Sequence, residues 1–134
     1  MTSSTDVTAG TNATALQFNN LRKDWLTGAG IYGTDTDGAT VTFDFSDQTK
    51  GNVRTVTLAG NRTLAVSNVA IGQRFVLVLK QDAVSTRTVT WFSGISWPYA
   101  VTPTLTTTAS KYDVFGLICI ASNTYLGFVV GQSL

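Results

Sequence analysis

The chain has no histidine and no glutamate, a single cysteine and two prolines in 134 residues. Without histidine, neither a Ser-His-Asp nor a Cys-His arrangement can form, and the usual base near neutral pH is missing. One cysteine and no histidine leave no ligand set for a tetrahedral zinc site and no internal disulfide framework. Cys119 lies in the apolar run Gly116 to Ala121, which predicts a buried, inert thiol. Charge is scarce as well. Charged residues make up 13% of the chain and the net charge is +1, which gives no electrostatic case for nucleic acid or for insertion at an anionic membrane. No stretch approaches the roughly 18 apolar residues of a membrane span. The glycines fit neither GxxxxGK[ST] nor GxGxxG. The opening MTSSTDVTAGTNAT lacks a basic start followed by an apolar run, so synthesis in the cytoplasm without a secretory signal is expected. No cofactor is expected.

What the chain has is threonine, spread over its whole length. Threonine suits pleated, half-wet surfaces and is poor in helices. So little charge on a protein of this size also suggests a surface largely covered by partners. The segment from Met1 to Ala13 is polar and without period. It reads either as a disordered tail or as an arm that orders on a neighbour. Thr14 to Leu26 reads as a helix. Thr14 and Gln17 form a capping box, and Phe18, Leu21 and Trp25 share one face at i, i+3 and i+7. So short a helix must dock, either on its own β core or on a partner. Ala29 to Gly38 is a connector. Asp35, Asp37 and Gly38 faintly resemble a calcium loop, but Gly33 holds the first ligand position and the closing Glu is absent, so turn chemistry is the better reading.

From Ala39 the period becomes two. Strands are expected over Val41 to Phe45, Val53 to Leu58, Leu64 to Val66, Gln73 to Lys80 and Thr86 to Phe92, with a terminal hairpin of Lys111 to Ala121 and Thr124 to Val130. Phe75 to Leu79 is apolar at every position, which predicts a central strand covered on both faces. Pro98 and Pro103 keep Ser93 to Thr108 out of a central strand. The triplet Thr-Val-Thr recurs at Thr40, Thr55 and Thr88, but the unequal spacing argues for shared strand composition rather than a repeat architecture. These features predict an all-β fold, a jelly-roll-like β-sandwich over residues 39–134, preceded by an arm, helix and connector over residues 1–38.

Catalytic residues are hard to find. Asp44, Asp47, Asp82 and Asp113 are the carboxylates a glycosidase-type pair would draw on, and none has a recognisable setting. No enzymatic activity is expected. Trp91, Phe92, Trp97 and Tyr99 cluster near one loop. They serve either to cap the core or pack a subunit contact, or as an aromatic platform for sugar rings.

The run GNRTLAVSNVAIGQRFVLVLKQD, followed by STRTVTWFSGISWP, TPTLTTTASKYDVFGLICI and NTYLGFVVGQ, resembles a module of tailed-bacteriophage structural proteins. It is found there in tail-fibre, baseplate-associated and head-decorating chains. TNATALQFNNLRKDWL resembles a short segment of the form T-x-x-Q-[FY]-N-x-L-R that precedes the shaft or head of such proteins. The resemblance covers about Thr55 to Gln132 and this N-terminal segment. It implies a virion-surface protein, a homotrimer with β domains around a threefold axis, bound to the major capsid protein or to a tail or baseplate protein. The sequence has no collagen-like run or coiled coil, so capsid decoration is expected. Phe18, Leu21 and Trp25 are then the anchoring residues. The alternative is a short tail-fibre or receptor-binding head that contacts host-surface glycan through Trp91, Trp97 and Tyr99.

Overall fold

The computed structural model describes residues 31–47 and 49–134, together with Ala15. The expected arm lies outside the described residues, as does the helix over Thr14 to Leu26 apart from Ala15, and with it Phe18, Leu21 and Trp25. The chain divides after Ile31, and the unit described below is Tyr32–Leu134.

This unit is all-β. Its strands are β1 (Tyr32–Thr34), β2 (Thr40–Asp44), β3 (Val53–Leu58), β4 (Arg62–Ser67), β5 (Arg74–Gln81), β6 (Val89–Thr90), β7 (Ile95–Ser96), β8 (Tyr112–Ala121) and β9 (Thr124–Gly131). They form a six-stranded sheet, ordered β1-β3-β5-β8-β9-β7, and a three-stranded sheet, ordered β2-β4-β6. Consecutive strands from β1 to β6 thus alternate between the two sheets. Each pairs in parallel with the strand two places before it. The chain therefore winds as a short coil, and every circuit adds one strand to each sheet.

A jelly roll would need antiparallel pairing throughout, whereas here the first three strands of each sheet run parallel. The reason is the length of the circuits. Tyr32 lies beside Val53 and Val53 beside Val76, circuits of 21 and 23 residues. That is room enough to cross to the other sheet and return in the same direction, which a tight hairpin cannot do. The Thr-Val-Thr triplets themselves do not stack, since Thr55 lies in the other sheet, but the path of the chain does repeat. Thr40 stacks beside Thr63 and Thr63 beside Thr90, with circuits of 23 and 27 residues. The turns absorb the difference in length, so no fixed period appears in the sequence.

The coil ends where β8 takes the place next to β5 and runs antiparallel to it, from Arg74 opposite Ile118 to Lys80 opposite Tyr112. β9 folds back on β8 across Ser122-Asn123. One cluster of buried side chains is drawn from both sheets. Val41, Phe43 and Leu64 come from one, and Val56, Leu58, Phe75, Leu77, Leu79, Phe115 and Leu117 from the other. Strict alternation places them there, since every second residue of β3, β5 and β8 is buried. Cys119 is buried among them, as its apolar run implied.

The expected connector contributes a strand. β1 runs through Gly33, where a β-carbon would overlap the Lys50 backbone, so only glycine lets the two segments approach this closely. Asp35 and Asp37 are taken up by arginines. The Arg54 guanidinium is fully buried and donates from Nε to Asp35 Oδ2 at 2.9 Å and from Nη2 to Asp35 Oδ1 at 3.2 Å. Its Nη2 also donates to the Asp44 carbonyl at 2.8 Å and its Nη1 to the Gly51 carbonyl at 3.3 Å. The same group lies 4.9 Å from the centre of the Phe45 ring. One circuit on, Arg62 donates to both oxygens of Asp37 at 2.9 and 2.7 Å.

Removing one partner of a buried pair leaves an uncompensated charge, at a cost of about 3–5 kcal/mol. Asp35→Ala, which strands the buried Arg54 cation, is expected to lose that much in urea unfolding, and Arg54→Ala less, because Lys50 Nζ still reaches Asp35 Oδ1 at 3.2 Å. Arg62→Ala, at a half-exposed pair, should lose no more than about 1 kcal/mol. Equal losses at both sites would show that burial of the Arg54 pair does not set its weight.

Candidate functional site

The aromatic residues singled out in the sequence come together at the end of the unit formed by β6, β7 and the turn after β7. Trp91 lies 4.9 Å from Trp97 and 4.8 Å from Phe115, ring centre to ring centre, and both pairs are edge-to-face. Phe92 meets Tyr125 edge-on at 5.3 Å. Edge-to-face contacts align the positive rim of one ring with the negative face of the next, so the cluster is held by more than area burial. Trp91 Nε1 donates to the Pro103 carbonyl at 3.2 Å, which ties the proline segment over the cluster.

Two glycines permit this packing. A β-carbon on Gly127 would sit 2.6 Å from a Trp97 ring carbon, so β9 accepts the indole only at a residue without a side chain. Gly94 has φ +86°, and a β-carbon there would overlap the Asn123 carbonyl. Its own carbonyl accepts from Tyr125 N–H at 2.9 Å, which starts the parallel pairing of β7 with β9.

Trp91, Trp97 and Tyr99 therefore have different roles. Trp97 is only 8% exposed and its ring is a core surface. Trp91 is half-buried between Trp97 and Phe115. Tyr99 stands apart at 98% exposure, on a 3-10 turn over Pro98–Ala100 closed by Ala100 N–H to the Trp97 carbonyl at 3.0 Å. Tyr99 and Ala100 both have φ +57°, a left-handed backbone that costs a non-glycine residue about 1 kcal/mol or more. A cleft of about 440 Å³ opens beside the cluster, lined by Trp91, Phe92, Gly94, Trp97 and Thr102 among others. It has rings and hydroxyls on its walls and no carboxylate, so it suits stacking rather than proton transfer.

The carboxylates lie elsewhere and serve turns. Asp44 accepts from Asn68 Nδ2 at 2.8 Å and from Ser46 N–H and Oγ at 2.9 and 2.8 Å. These bonds, the Asn68 amide foremost, hold its carboxyl down at about 2. Asp82 is lowered first by its bond to Arg87, and Asp47 first by the Thr49 hydroxyl. Asp113 is buried and accepts from Thr106 N–H at 2.6 Å and Ser133 N–H at 2.9 Å, pinning two segments to β8. Among the described residues, no three His, Cys, Asp or Glu side chains gather as a metal site.

A second surface was not singled out in the sequence. The outward face of the six-stranded sheet carries Val53, Val76, Val78, Val114, Ile118 and Phe128, with Leu126 and Val130 beside them. The signal for it was there, in β5, β8 and β9 being apolar at both parities, but it reads equally as burial on both faces. Comparison of the chain with protein-family models, with curated proteins and with solved structures returned no match.

Trp97→Ala is expected to cost about 3–5 kcal/mol in denaturant unfolding, while Tyr99→Ala should change stability by less than about 0.5 kcal/mol. The reverse order would mean that the turn, not the indole, holds this end together. The lowered aspartates also set a pH dependence. A carboxyl whose folded value lies below its unfolded value contributes stability above the unfolded value and loses it as pH falls through the folded one. The melting temperature is therefore expected to hold from pH 7 to about 4 and to drop between about 4 and 2. Asp44→Ala should shrink that drop. A drop of unchanged size would remove Asp44 from the account.

Proposed function

We propose that this chain is a structural protein of a tailed-phage virion, a homotrimeric decoration protein that caps or cements the capsid surface. The observation that carries the reading is an all-β block with few charges and a broad apolar sheet face. Its arginines and aspartates are largely engaged within the block, as in Arg54–Asp35, Arg62–Asp37 and Arg87–Asp82. Such a block is suited to being built into an assembly through apolar and backbone contacts. The resemblance over Thr55 to Gln132 supports the same reading. In it the two sheets stack as a β-sandwich, the major capsid protein is the partner, and Phe18, Leu21 and Trp25 anchor the chain to the particle. Symmetric closure also covers sheet edges that otherwise invite aggregation. The deciding measurement is the number of copies per purified particle relative to the major capsid protein, by quantitative mass spectrometry. Decoration requires hundreds of copies; a dozen or two would replace it with a tail or baseplate role, and none would end the virion reading. The triple variant Phe18→Ala, Leu21→Ala, Trp25→Ala is expected to lose particle binding with the circular dichroism of the β unit unchanged.

A second reading is favoured by Tyr99, held clear of the surface on a left-handed turn near the aromatic cleft. On a tail-fibre or receptor-binding head, that ring would stack on host-surface glycan. Tyr99→Ala is then expected to lower adsorption to host cells while particle stability stays the same. Unchanged adsorption would leave decoration alone.

A further inference from the structure

The outward face of the six-stranded sheet is the largest feature of the unit that the core does not account for. Across β3, β5, β8 and β9 the register sets Val53 beside Val76, Val76 opposite Gly116, and Gly116 opposite Phe128. The next outward row holds Thr55, Val78 and Val114, and the row on the other side Arg74, Ile118 and Leu126. At strand spacings of about 4.8 Å and rises of about 3.3 Å per residue, these rows cover roughly 320 Å² in projection, about 250 Å² of it apolar side chain or glycine. Contiguous apolar patches of that size on single domains are commonly contact sites. Phe128 is 44% exposed and Val130 64%.

The relief of this face identifies its occupant. Gly116 interrupts the apolar rows, and a β-carbon placed there would meet only Val130, at 3.4 Å. The gap belongs to a groove of about 250 Å³ bounded by Val53, Val76, Ile118 and Phe128, with Asn52 and Arg74 also on its wall. A groove with room for an aromatic ring therefore lies on the same face as a protruding aromatic ring. Such a surface carries both a knob and a hole, so each copy can give its ring to the next and receive one from the last around a closed threefold ring. The charges agree. The middle of the face has none, while Arg74 and Lys80 stand at its two ends, with Lys80 Nζ 5.0 Å over the Tyr112 ring. Copies around an axis can bury the middle and leave Lys80 in solvent at the rim, with the long Arg74 side chain along the edge of the groove. The apolar positions supply about a third of the roughly 800 Å² that each partner gives to a stable interface, and the threonines and long side chains around them can supply the rest.

We infer that the outward face of the six-stranded sheet is the surface through which this chain binds other copies of itself, with Phe128 of one copy seated in the groove over Gly116 of the next. The inference deepens the proposed homotrimer by assigning its contact, and does not depend on where on a particle the protein sits. The test is light scattering and sedimentation equilibrium of the purified full chain, with the variants Phe128→Asp and Gly116→Val. The expected result is an oligomer at micromolar concentration for the unaltered chain. Each variant should raise the dissociation constant about a hundredfold or more, the loss typical of a central contact, with the far-ultraviolet circular dichroism unchanged. Tyr99→Ala should remain fully oligomeric. A monomeric unaltered chain would overturn the inference and give the face to the chain's own N-terminal segment or to a different protein. So would an oligomer that both folded variants retain. Should Phe128→Asp misfold, Gly116→Val, whose β-carbon meets only the end of Val130, carries the test alone. Particle copy number is measured separately, so failure of this contact and failure of the virion reading are told apart.

Discussion

The buried Arg54–Asp35 pair is the constraint on which the rest of the unit depends. Arg54 opens β3, yet its guanidinium reaches Asp35 after β1, the Asp44 carbonyl at the end of β2 and the Gly51 carbonyl before β3. One side chain thus fixes the start, middle and end of the first circuit. A charge removed from water is tolerable only with its hydrogen bonds satisfied, so the three segments must hold this arrangement or leave the cation stranded. Later circuits repeat the device in more exposed form, through Arg62–Asp37 and Arg87–Asp82. The scarce charges are thus largely used to lock turns. The effect of this economy is a surface low in charge, which is the physical ground for reading the protein as part of an assembly.

A coil of stacked parallel strands has a problem of ends, because the last circuit exposes unpaired backbone and core. The chain answers by reversing direction. β8 pairs with β5 antiparallel, β9 folds back, and β7 adds a two-residue edge. The aromatic cluster of Trp91, Trp97, Phe115 and Tyr125 fills the space where the reversal leaves no regular layer. The bulk of these rings makes the closure possible, and Gly94 and Gly127 are the positions that yield to them. The tryptophans conspicuous in the sequence therefore serve mainly as packing. The ring left free is Tyr99, on the turn that the proline segment forces outward.

Most of the strands were legible, because alternation is a local property. β3 coincides with the expected Val53 to Leu58, and β5, β8 and β9 lie within a residue or two of expectation. Pairing direction was not legible. Both hairpins and crossovers leave the same alternation on each strand, and only the length of the return path separates them. The circuits vary from 21 to 27 residues, so the stacking of Thr40, Thr63 and Thr90 left no period to find. β1 was hidden too, since Tyr32-Gly33-Thr34 is too short to show a pattern and its glycine reads as a turn.

By itself the sequence determined the all-β class, the buried cysteine, the positions of the longer strands and the poverty of catalytic groups. Each follows from residue type and spacing along the chain. The tertiary structure alone decided which strands lie side by side and in which direction. It also decided which tryptophan is core and which tyrosine is free, and which of two apolar faces the described residues cover. Phe75 to Leu79 shows the division. Its apolar run announces a central strand, and β5 is one. Phe75, Leu77 and Leu79 are buried within the unit, while Val76 and Val78 are only half-buried on the outward face. Period-two geometry assigns the two sets to opposite faces, and only the positions of the neighbouring strands determine which face the described residues bury.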